Sequence, residues 1–337
     1  MKRGYMDWNQ ELLPLDTLKR RRKNLLEAAA AEKVKAVVIY GDVYSADELS
    51  YYVNYAPYWC NSAAVMTPDE TYLVTGHNNR VNPWISSLTG LSEDQLIASG
   101  FRVPVRISES LKERFPEGGR IGIIGKFVMA DVVKELKKQG FEPVILDNVI
   151  GDALKTADDA YRNTVKKAAG ILNHAFQRGM EEFLAGGTSK TTAAEIEYDA
   201  RKNGAMDIVI YVSHRGRQFG LPVSEDDADG VWTVYGLMQY LGVWVSRAET
   251  YGTETEAAGR QLEAAAGELR PGKLAVIPTD GYEITVKRVT ADVISDLNGE
   301  LTELSNQQVV AVSACETSTG IYVEKMYCVT DEGAVSL

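Results

Sequence analysis

Cysteine is scarce in this chain. Cys60, Cys315 and Cys328 are the only three in 337 residues, and no CxxC pair occurs. An odd count without pairing excludes a disulfide framework and a cysteine zinc site, and fits a reducing cytoplasm. Histidine is equally sparse, with His77, His174 and His214 alone. No run approaches the ~18–20 apolar residues that a membrane span needs, and MKRGYMDWNQELLPLD holds no apolar core of signal-peptide length. Positive charge is in deficit: 36 Lys and Arg against 47 Asp and Glu give a net charge of -11. Such a surface repels nucleic-acid phosphates. The expectation is a soluble cytoplasmic protein with neither nucleic-acid nor membrane partners.

What is present is ample core material. Hydrophobic residues make up 45% and charged residues 25%, too apolar for disorder, and the length suits two domains. Leu18, Leu25 and Leu26 recur at helical spacing within 15–33, with the basic run Lys19–Lys23 expected to face water. Strand-like segments follow at KAVVIYGD, SAAVMTP, ETYLVTG, RIGIIG and EPVILDN, with a helix over 129–140 closed by Gly140. This alternation through 35–150 predicts an α/β domain with a mixed sheet. NYAPYWCN, with Tyr55, Tyr58 and Trp59, follows a strand-like YYVNY.

The texture changes near Asn148–Asp152, giving expected domains of 1–150 and 151–337. Two helices are predicted over 157–184 and 188–204, stopped by Gly186-Gly187 and Gly204. Strands follow at 207–213, 231–237 and 241–250, then a helix over about 255–270. KLAVIPT, QVVAVSACE and GIYVEKMYCVT close the chain as strands. Helices followed by grouped strands predict an α+β domain. Histidine at a strand end (His214) with Arg215 and Arg217 beside it offers an acid/base and a planar fork for a carboxylate. Glu324 in a buried strand demands an Arg or Lys partner, or else acts as a general base.

Gly187-Thr188, Ala194, Glu197, Gly204-Ala205, LRPG at 269–272 and GIYVEKMYCVTDEG at 320–333 together resemble the creatinase/aminopeptidase P/prolidase family. The likeness spans nearly the whole chain. It implies a creatinase-like N-terminal α/β domain, a pita-bread α+β C-terminal domain, a homodimer and a small-molecule substrate. The family's metalloenzymes hold two metal ions with two Asp, a His and two Glu. Two aspartates eleven residues apart belong on the hairpin GVWTVYGLMQYLGVWVSRAETYG, yet residues 230–252 contain none. The overlay puts Tyr235 and Ser246 there. No histidine lies between Gly272 and Glu316. Glu324 matches the second ligand Glu, and Glu316 or Ala314 takes the first position.

The implied site is therefore metal-free and cofactor-free. The expected function is a metal-independent hydrolase of the creatinase type, cleaving a C–N bond in a small polar metabolite. Glu324, His214 and Tyr235 would move protons; Arg215, Arg217, Ser246, Glu316 and Trp59 would bind substrate. The alternative is a catalytically inactive pita-bread protein that binds a ligand or a protein.

Overall fold

The structure, a computed structural model, describes residues 7–125, 128, 130–146, 149–214, 230–272, 281–289 and 303–337. The chain divides into two compact units, Met1–Gly151 and Asp152–Leu337.

In the first unit α1 (Leu15–Ala30) follows Pro14, and β1 (Ala36–Gly41) is buried at every position. Then come α2 (Asp47–Val53), β2 (Ser62–Met66), β3 (Thr71–Thr75), α3 (Asn82–Thr89), β4 (Leu96–Ala98) and α4 (Val103–Arg114). β5 (Gly119–Ile124), α5 (Ala130–Lys138) and β6 (Phe141–Ile145) complete it. The strand order is β4-β3-β2-β1-β5-β6. β2 pairs antiparallel with β1 and β3, and the remaining neighbours are parallel. The mixed α/β sheet expected from the sequence is present, with Val38, Val65, Val74, Ile107, Leu111, Ile123 and Leu136 in its core.

Two local expectations fail here. YYVNY is not a strand: Tyr51–Val53 end α2, and Asn54 caps it at φ 52° while its amide donates to the Leu88 carbonyl. An asparagine that tolerates the left-handed region outweighs the β propensity of the tyrosines. The basic run of α1 does not all face water either. Arg21 and Arg22 are buried. Arg21 donates to the Tyr51 carbonyl at 2.9 Å and lies over its ring.

A short helix, α6 (Val149–Lys155), precedes α7 (Asp159–Leu184). Asp158 caps α7 by accepting from the Tyr161 amide at 2.8 Å, satisfying one of the free N–H groups of a helix start. α8 (Ser189–Lys202) opens on a reciprocal capping box between Thr188 and Thr191. β7 (Asp207–His214), β8 (Trp232–Tyr240), β9 (Val243–Tyr251), α9 (Glu256–Gly267), β10 (Tyr282–Lys287), β11 (Val309–Glu316), β12 (Tyr322–Thr330) and β13 (Gly333–Ser336) follow. The sheet runs β10-β11-β12-β9-β8-β7, with β13 also on β12. Its described pairings are all antiparallel. KLAVIPT lies outside the described residues.

The hairpin β8–β9 turns at Leu241-Gly242, both at positive φ, the backbone that matches strand twist in a two-residue turn. The predicted strand start at 241 is thus the turn itself. On one face of the sheet α7 and α9 pack. Gly236 makes that approach possible, since a Cβ there would stand 2.8 Å from the Phe176 ring of α7. The helix face also carries Val310, Val312, Ala314, Val323 and Tyr327, packed with Leu262 and Ala266 of α9. Gly236→Val is expected to cost about 1–3 kcal/mol through overpacking. A urea midpoint unchanged from wild type would contradict this packing.

Candidate functional site

The face of the second sheet opposite α7 and α9 follows from register. Tyr235 pairs with Ala248, Leu237 with Ser246, Ala248 with Glu324, and Glu324 with Ser313. Directly paired residues share a face, and alternate residues along a strand share it too. Tyr235, Ser246, Ser313, Tyr322 and Glu324 therefore converge. By the same parity Lys287, opposite Ala311, joins them. Ala311 has too little side chain to bar its path, so the lysine stem can cross β11 to reach β12.

The contacts close this group into one network. Ser246 Oγ donates to Glu324 Oε1. The Tyr322 hydroxyl donates to Glu324 Oε2 at 2.8 Å, and Lys287 Nζ meets the same oxygen at 2.9 Å. Lys287 Nζ also reaches the Tyr235 hydroxyl at 3.4 Å and stands 4.9 Å from that ring's centre. Ser313 lies across from Glu324 on the same face. Glu324 is 0% exposed, Tyr235 and Ser246 1%, and Lys287 6%. A carboxylate so enclosed is tolerated only with a cation and hydrogen bonds around it, and this one has both. Burial, then the nearby Glu324 charge, pushes the Tyr235 and Tyr322 phenols well above their usual range. Both stay protonated, and Tyr322 serves as a neutral donor to Glu324.

Glu316 is corrected: it and Ala314 have the parity of the helix face, and Ser313 is the residue across from Glu324. Glu316 instead accepts from the Thr319 hydroxyl just beyond its strand. His214 ends β7, two residues after Val212, and Arg215 and Arg217 lie outside the described residues. Trp59 belongs to the first unit, where its indole N–H donates to His77 Nδ1 at 2.8 Å while the ring is 55% exposed. Glu249 faces the helices, ion-paired with Arg247 at 2.7 Å. Lys287, Ser313 and Tyr322 went unforeseen. The available signal was a lysine within the strand-like run YEITVK, one residue from buried Val286.

No protein-family profile matches the chain, and no curated protein matches it by sequence. Solved structures do match. Prolidase from Pyrococcus horikoshii superimposes with a TM-score of 0.70 at 15% identity, over 94% of this chain and 97% of that one. An Xaa-Pro dipeptidase from Bacillus anthracis gives 0.68 at 15% identity over 95% and 97%. X-Pro aminopeptidase from Thermotoga maritima gives 0.67 at 14% over 94% and 96%. This chain has the pita-bread fold. At such low identity the likeness fixes the architecture and leaves the chemistry to the residues.

The pita-bread cluster does not suit a pair of divalent cations. Hard ions of this kind take several carboxylate oxygens, and here one carboxylate shares its oxygens with an ammonium, a phenol and an alcohol. Among the described residues no three His, Cys, Asp or Glu side chains gather where an ion could be held.

Lys287→Met is expected to cost about 3–5 kcal/mol by leaving Glu324 buried without its cation. Adding Glu324→Gln should recover most of that loss, and simple additivity of the two in urea melts would contradict the coupling. The protonated phenols set a pH response. The folded site holds Tyr235 and Tyr322 protonated above pH 10.0, where the unfolded chain releases those protons. Their contribution is thus complete below that pH and lost as pH climbs beyond it. Burial also pushes Tyr52, Tyr55, Tyr251 and Tyr327 up, so the test is by difference: Tyr235→Phe and Tyr322→Phe should each remove one tyrosine from the phenolate absorbance that appears only with unfolding, and loss of a tyrosine that ionises near the usual value in folded protein would refute this.

Proposed function

We propose that this chain is a pita-bread protein that works without the two-metal centre, its second unit serving as a ligand- or protein-binding module. The observation that carries the reading is Glu324, fully buried with both carboxylate oxygens engaged by Ser246, Tyr322 and Lys287. A general base needs a lone pair within hydrogen-bond reach of the proton it takes. Here that position is filled from within the protein. Tyr235, held protonated by burial, is likewise a poor proton acceptor. A creatinase-type hydrolase would require Glu324 to leave its ammonium partner, at the cost of leaving two buried charges unpaired.

The solved relatives are named as prolidases, X-Pro aminopeptidases and dipeptidases, so their reaction is the direct comparison. Purified protein is expected to leave Xaa-Pro dipeptides and C–N substrates such as guanidino, ureido and cyclic amide compounds intact, with or without added manganese or cobalt. Metal-stimulated release of proline would overturn the proposal. Metal-free turnover of a C–N substrate, lost in Glu324→Gln, would return the hydrolase reading.

A further inference from the structure

The first unit contains a cleft of about 640 Å³ between α1, the β2–β3 turn and the segment after α3. Its volume falls within the range of small-molecule sites. One stripe of α1 lines it: Lys19, Arg22, Lys23 and Leu26 recur at helical spacing. Thr67–Thr71 and Gly90-Leu91 form the opposite wall.

Arg22 is the anomaly. It is 8% exposed, and its Nη1 is buried with no hydrogen-bond partner. Burial lowers its pKa, with no compensating partner charge. Its neighbour Arg21 shows what a satisfied buried arginine looks like here, with a carbonyl and a ring. The acidic residues around the cleft do not supply Arg22's counter-charge. Glu70 is held by Arg114, Glu27 bridges Lys23 at 3.7 Å, and Asp69 is exposed. Lys19 meets only exposed Asp16, at 3.8 Å. An unpaired buried guanidinium is costly. An external anion removes that penalty.

We propose that this cleft is a binding site for a phosphate group, with the Arg22 fork as its anchor and Lys19 and Lys23 at its mouth. A doubly charged phosphate suits three cations better than a single carboxylate does, and a guanidinium grips it through two parallel N–H bonds. Leu26, Ala30, Pro68 and Leu91 in the lining leave apolar room for the body of a phosphate ester. The site is independent of the Glu324 cluster and of the function proposed for it.

Titration calorimetry of the full chain at constant ionic strength tests this, using inorganic phosphate in one arm and glycerol 3-phosphate in the other. Wild type should bind at least one of them saturably, with a Kd of about 1 mM or tighter. Tighter binding in the second arm identifies an ester, and equal binding identifies free phosphate. Arg22→Met should weaken binding at least about tenfold, and in phosphate-free buffer it should melt no lower than wild type, since an uncompensated charge is gone. Arg22→Lys, which keeps the charge and loses the fork, should bind more weakly than wild type. Absence of saturable heat in wild type overturns the proposal, as does wild-type affinity in either variant.

Discussion

The ion pair between Lys287 and Glu324 is the interaction on which the buried polar cluster of the second unit depends. A carboxylate with no solvent exposure on a central strand is untenable alone. The ammonium at 2.9 Å balances its charge, and hydroxyls from Ser246 and Tyr322 complete its hydrogen bonding. Remove the cation, and every neighbour was chosen for a charge that no longer has a counterpart. The phenols stay neutral because they are buried and, secondarily, because that carboxylate sits beside them. The cluster is thus a closed electrostatic unit, its carboxylate balanced by an amino group of the same chain.

Sheet geometry explains how residues so far apart in sequence meet. Alternation sends Tyr235, Ser246, Ser313, Tyr322 and Glu324 to one face and Gly236, Arg247, Glu249, Val323 and Ala314 to the other. The second face is occupied by α7 and α9, with Gly236 admitting Phe176. A one-residue slip in any strand would exchange the two sets, so the packing of the helices fixes the composition of the cluster on the far side. The first unit offers a contrast in how buried cations are handled. Arg21 is satisfied internally, whereas Arg22 is left for a ligand.

Much of this was legible in the sequence. Alternating strand and helix signals gave the mixed sheet, glycines marked helix ends, and the hairpin at 230–252 was legible, although Tyr235 and Ser246 are not directly opposed but pair with Ala248 and Leu237. Glu324 was seen to need an Arg or Lys partner, but the sequence did not say which. Lys287 sits 37 positions away on a strand two removed from β12, and only tertiary register brings it over Ala311. Glu316 was misplaced because overlay by motif ignores parity, and parity is decided by pairing with β12. The α2 helix was misread because aromatic residues carry a strand propensity that Asn54 and local capping override.

Crystals grown with manganese and measured by anomalous diffraction test the central claim most directly. The account predicts no anomalous peak within coordination distance of Glu324, with Lys287 Nζ in density against its carboxylate. Two strong peaks between Tyr235, Ser246 and Glu324, with the lysine displaced, would contradict it.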